Sequence, residues 1–107
     1  MVENIYENIS IKLKAISDQK RLKIIDMLSC GELCACEILE KFDISQPTLS
    51  FDMKKLEEAK LVKSRREGKN VYYSLNQKAL GHLLDQLTSI FSDSPDCICH
   101  SKERMDY

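Results

Sequence analysis

Glycine and histidine are scarce in this 107-residue chain, at three and two residues. So few glycines leave no phosphate-cradling loop, and no histidine stands in a nucleophile pair. Paired carboxylates in a glycine-rich setting are also missing. His82 is the only histidine in the last helical segment, whereas a zinc or nickel site between paired helices needs several histidines and acids at matched spacing. No apolar run is long enough for a signal peptide or a membrane span. We therefore expect a cytoplasmic protein with no membrane partner. Its five cysteines then read as thiols or metal ligands rather than structural disulfides, and their odd number agrees. A thiol enzyme needs a base beside the thiol, and a metal store needs many more ligands. Neither is visible, so no enzymatic activity is expected.

A chain this size, 43% hydrophobic, makes one domain with a modest core. The net charge of −1 is unevenly spread. Residues 1–43 hold six basic and eight acidic side chains, residues 44–75 hold seven and four, and residues 76–107 hold three and five. The middle of the chain is thus positive, as a phosphate-binding segment is, although a solvated surface can show a shift this small.

Ile5, Ile9, Leu13 and Ile16 recur at helical spacing across residues 3–16 with no Gly or Pro between them. Ser17 or Asp18 caps a second helix whose core stripe reads Leu22, Ile25 and Leu28, widened by Ile24 and Met27 and ended by Gly31. Lys20, Arg21 and Lys23 take its wet side, which solubility alone explains.

Residues 34–61 organise the rest. Ile38, Leu39 and Phe42 give one short helix an apolar face, and Leu49, Met53 and Leu56 do the same for the next. Between them Ser45 is a good N-cap, with Pro47 in the first turn where its missing N–H costs little. This is a helix-turn-helix pattern. The outward face of its second helix carries Gln46, Thr48, Ser50, Phe51, Lys54 and Lys55, groups that can meet base edges and phosphates in a major groove. Leu61 and Val62 then open an extended run, residues 67–70 form a turn, and Val71, Tyr73 and Leu75 alternate with Tyr72 and Ser74. A two-stranded hairpin there, with Lys63, Arg65, Arg66 and Lys69 near its tip, is the wing of a winged helix. The fold class read from the sequence is mainly α with a small β-hairpin, a dimeric winged helix-turn-helix.

Asn76 caps a last helix running from Gln77 to about Phe91. Leu80, Leu83, Leu84, Leu87, Ile90 and Phe91 make a stripe too wide for one helix to bury in so small a domain. Paired with the first helix it forms a two-fold dimer interface, which suits a reader of symmetric half-sites. We divide the chain into a DNA-binding and dimerisation domain, residues 1–94, and a flexible cysteine-containing tail, residues 95–107.

Cys34-Ala35-Cys36 is the sharpest chemical signal. Soft thiolates select As(III), Sb(III), Cd(II), Pb(II), Zn(II) or Cu(I) over hard cations, and a helix N-terminus favours the thiolate. Residues two apart on a regular helix point about 200° apart. Both sulfurs on one ion therefore require the first helical turn to distort, and with it the cap formed by Cys34 and Glu37. The bland alternative is a pair of small, partly buried residues. Cys30 either supplies a third sulfur or, the reading we favour, faces the core beside Leu28. Cys97 and Cys99 repeat the spacing; they form a second site, complete the first in the same or the partner subunit, or are idle thiols. Oxidation of such pairs offers a redox switch as the rival sensing chemistry.

Taken in order, the stretches ELCACEIL (32–39), ISQPTLS (44–50), LEEAKLV (56–62) and REGKNVYYSLN (66–76) resemble the ArsR/SmtB family of metal-responsive winged-helix repressors. The likeness covers residues 16–76. It implies a homodimer that occupies double-stranded operator DNA when metal-free and leaves it when a thiophilic ion binds. The Glu-Leu-Cys-x-Cys start is similar to the arsenic and antimony branch and its cadmium and lead relatives. Two positions depart from the pattern. Leu39 stands where arsenical repressors often have a third cysteine, and Phe51-Asp52 stands where members commonly have His-His. Asp52 would repel phosphate if it faced DNA.

Overall fold

The computed structural model describes residues 4–92. Helix α1 (Ile5–Ile16) is capped by Asn4, whose side chain accepts from the N–H groups of Tyr6 and Glu7. Helix α2 (Gln19–Leu28) is capped by Asp18, so the chain turns sharply between two helices that pack together. Strand β1 (Leu33–Cys34) leads into α3 (Ala35–Lys41), and α4 (Gln46–Glu58) follows after Ser45. Strands β2 (Val62–Glu67) and β3 (Asn70–Leu75) form the hairpin, and α5 (Gln77–Phe91) closes the described chain behind Asn76. The winged helix-turn-helix is therefore present as expected.

The core gathers Ile24, Leu28, Ile38, Leu49, Met53, Leu56 and Leu61, each almost fully enclosed, with Tyr73, Leu75 and Leu83 around them. Burying side chains of this size stabilises by roughly 1.5–3 kcal/mol each. The stripe expected on α2 is corrected at one position, Leu22. Ile24 and Leu28 face the core while Leu22 is 51% exposed. Adjacent apolar residues offer two four-residue stripes on this helix, and packing against α4 selects the one that includes Ile24.

Helix α4 ends in a Schellman arrangement: Leu61 N–H donates to Leu56 O at 3.0 Å and Lys60 N–H to Glu57 O at 2.9 Å. Lys60 takes the left-handed conformation, φ 66°, that this requires, and buried Leu61 packs back onto the helix end. Asn76 ties the junction, donating from its side chain to Lys60 O and from its backbone to Leu61 O. The hairpin turns through Gly68 and Lys69, with a positive φ of 63° at Gly68. That position suits the Gly-first two-residue turn that matches strand twist.

The hairpin is not a two-stranded sheet. β1 adds a third antiparallel strand in the order β1-β3-β2, with Leu33 opposite Tyr73 and Cys34 opposite Tyr72. Two residues carry no alternation by which a sequence could announce them. Because Tyr72 also lies opposite Arg65 on β2, Cys34, Tyr72 and Arg65 form one cross-strand row.

Candidate functional site

Cys34 ends β1 and caps α3, its backbone extended at φ −83° and ψ 158°. Its N–H donates to Glu37 Oε1 at 2.8 Å, the backward arm of a capping box. Cys36 is the second residue of α3. The two Cα atoms are 5.3 Å apart and the residues are joined by a disulfide. Two expectations are corrected here. The pair is not a pair of thiols in this state, and bringing the sulfurs together does not distort the helix. The angular rule holds only for residues with helical backbone, and Cys34 lies outside the helix.

Cys34 is 5% exposed and Cys36 is exposed, so one sulfur abuts the core while the other opens to solvent. Two-electron, two-proton reduction converts the pair to a dithiol, and two thiolates held on one side of a helix start fit a soft ion. Cys30 is a free thiol and exposed, which corrects its expected place in the core; α2 has already ended at Leu28, whose own side chain fills that space. Cys97 and Cys99 lie outside the described residues. Among the described residues no three His, Cys, Asp or Glu side chains gather as a metal cluster.

On α4, Ser45 Oγ accepts from Thr48 N–H at 3.3 Å and bonds Thr48 Oγ1 at 3.0 Å. The helix thus starts abruptly and points its first turn outward. Gln46, Ser50, Phe51, Lys54 and Lys55 are exposed and Thr48 is half-buried. Lys55 Nζ stands 5.2 Å from the centroid of the Phe51 ring. Asp52 is 1% exposed and turned inward, where Arg21 Nη1 meets Oδ1 at 3.0 Å. It presents no charge to a phosphate. Arg21 was expected on the wet side of α2; Asp52 and the carbonyl of Ala15 draw it inward.

Lys63, Arg65, Arg66 and Lys69 are all exposed on the wing. Arg65 differs from the others. Its Nε and Nη2 donate to the two carboxylate oxygens of Glu32 at 3.0 and 2.7 Å, and Nη1 donates to Glu67 at 2.8 Å. Its guanidinium also lies 4.6 Å from the centroid of Tyr72. The hydrogen bonds it donates to Glu32 and then to Glu67 hold Arg65 even more firmly protonated than usual, and the bond from Arg65 holds Glu32 below the ordinary carboxylate range. Sequence reasoning missed Glu32, Glu67 and Asp52 as partners. No local pattern marks the bridges to Glu32 and Asp52, whose partners lie more than thirty residues away, and Glu67 stands two residues from Arg65 on the same strand.

Residues 18–64 match the family described as bacterial regulatory protein, arsR family. The arsenical resistance operon repressor of Staphylococcus aureus is 44% identical over 101 residues, covering 94% of this chain and 97% of that repressor. The chain belongs to the ArsR family. Its likeness to the arsenical resistance operon repressor of Staphylococcus xylosus is 46% over 94 residues, 88% of this chain and 90% of that one. Among solved structures, a possible transcriptional regulator for arsenical resistance superposes with a TM-score of 0.70 at 26% identity, covering 86% of this chain and 97% of that one. This ArsR-family chain thus superposes over most of its length on a solved regulator of similar size.

Proposed function

We propose that the protein is a metalloid-responsive transcriptional repressor that binds operator DNA as a homodimer and leaves it when As(III) or Sb(III) is held by the thiolates of Cys34 and Cys36. One observation carries this reading: the two sulfurs meet at the head of α3, the helix that packs against the DNA-reading helix α4. The likeness to arsenical resistance repressors over most of the chain supports the choice of ion. The third sulfur comes from Cys30 or from Cys97 or Cys99.

Dimerisation is supported by the apolar surface on two adjacent helices. Ile5, Tyr6 and Ile11 on α1 and Leu84, Ile90 and Phe91 on α5 are between 47% and 79% exposed, and large exposed apolar side chains on two helices that pack together mark an interaction face. A two-fold pairing of these faces sets two α4 helices toward successive major grooves. No described helix is long and apolar enough to cross a membrane, which accords with a repressor acting in the cytoplasm.

The disulfide favours a second reading, a thiol-redox-responsive repressor of the same fold. The softness of the thiolates also admits Cd(II), Pb(II) or Zn(II) as the inducer. A DNA-release titration separates them: reduced protein on the DNA upstream of its own gene, titrated in parallel with As(III), Sb(III), Cd(II), Pb(II), Zn(II) and peroxide. Release by arsenite or antimonite at the lowest concentration is expected. Release by peroxide alone establishes the redox reading instead.

A further inference from the structure

Three carboxylate oxygens, from Glu32 and Glu67, face one guanidinium on the wing. Exposed single ion pairs contribute little, but this one is bidentate, is shared by two acids and is backed by an aromatic ring. A bidentate carboxylate occupies the same fork of donors that a DNA phosphate would take. Approaching DNA meets a cluster with two negative charges and one positive, not a free cation.

Glu32 also has a particular place in the chain. It stands two residues before Cys34, at the entrance to β1, and β1 joins the wing through a short, two-residue pairing with β3. Across the sheet, Cys34, Tyr72 and Arg65 share one row. A movement of Cys34 therefore passes to Glu32 along the backbone and to Arg65 through the sheet. We propose that Glu32 is an intramolecular phosphate mimic that competes with operator DNA for Arg65, and that its hold on Arg65 is set by the state of the cysteine pair. The proposal rests on the functional reading above and names the residue through which the thiolate site reaches the DNA-binding wing.

The test is fluorescence anisotropy on a duplex from upstream of the gene, with reduced full-length protein, over a range of salt concentrations. Glu32→Gln keeps the size of the side chain and removes its charge. It is expected to bind severalfold more tightly than wild type, with a steeper salt dependence by about 0.9 in log–log slope for each phosphate gained. In an Arg65→Ala background the same change is expected to do nothing. Arsenite is expected to raise the Kd of Glu32→Gln by a smaller factor than that of wild type. Unchanged or weaker binding by Glu32→Gln, or an equal effect without Arg65, overturns the competition. Tighter binding with an undiminished arsenite factor overturns the link to the cysteine pair. Were wild type itself not to bind the duplex, the functional reading would fail rather than the role of Glu32. Should Glu32→Gln not fold, Arg65→Lys, which cannot make the bidentate contact, is expected to bind DNA at least as tightly as wild type; weaker binding overturns the proposal.

Discussion

Arg21 and Asp52 form a buried ion pair that joins α2 to the middle of α4, with 3.0 Å between Nη1 and Oδ1 and side chains 15% and 2% exposed. Arg21 Nε donates to Ala15 O at 2.5 Å, so the same guanidinium also fastens the end of α1. Asp52 Oδ2 is buried without a protein partner among the described residues. The pair consequently sets the seating of α4 while remaining out of reach of DNA.

Removing one member of such a pair leaves an uncompensated buried charge, so Asp52→Ala is expected to destabilise the fold by about 3 kcal/mol. The double change Arg21→Met with Asp52→Leu removes both charges and is expected to recover most of that loss. Urea denaturation of the three proteins measures it. If the double variant is less stable than Asp52→Ala, the pair is not the cause.

Asp18 gives a dependence on pH. Its carboxylate accepts from the N–H groups of Arg21 and Lys20, and the backbone bond from Arg21, with the charges of Lys20 and Arg21, lowers its pKa against the opposing effect of burial. The folded value lies below the unfolded one, so the cap's contribution is present above about pH 3.9 and is lost as pH falls through the folded value. Asp18→Asn should melt below wild type at pH 7, and the two midpoints should converge as the buffer is taken below pH 4. A gap that stays constant with pH would show that charge has no part in the cap.

Reduced Cys34→Ser and Cys36→Ser are expected to bind operator DNA like wild type and to resist release by arsenite. Cys30 is a free, exposed thiol, so Cys30→Ser should weaken the response without abolishing it. Deleting the chain after Ser94 tests Cys97 and Cys99 in the same way, and the more harmful change identifies the third sulfur. If Cys34→Ser and Cys36→Ser still respond while the shortened chain does not, the sensing site lies beyond residue 94.

The residues proposed to face DNA should divide by chemistry. Gln46→Ala and Ser50→Ala are expected to change the preference among operator variants, by about 1–3 kcal/mol at the affected base pair. Arg66→Ala should weaken binding to all sequences alike and reduce the salt slope by about 1. Arg65→Ala should cost less than Arg66→Ala in metal-free protein, because Glu32 and Glu67 already engage its guanidinium. Anisotropy titrations on a set of mutated duplexes distinguish these effects, and the reverse order for the two arginines would show that Arg65 is the principal phosphate contact.

Much of the fold was legible because its signals are local. Asp18, Ser45 and Asn76 cap helices through hydrogen bonds to N–H groups two or three residues on. Leu49, Met53 and Leu56 share a face by helical spacing alone, and Gly68 supplies its own turn. The Cys-x-Cys pair was visible for the same reason, as was the exposed row on α4.

What the tertiary structure decided involves residues that have no partner nearby in sequence. Leu22 and Ile24 are equally apolar, and only the docking of α2 chooses between them. Arg21 reads as a surface cation until Asp52 arrives from another helix. β1 exists because β3 offers it an edge, and that pairing draws Cys34 out of the helix and places Glu32 beside Arg65. The energy of each of these contacts depends on two distant groups being desolvated and oriented together, and no window of sequence contains both.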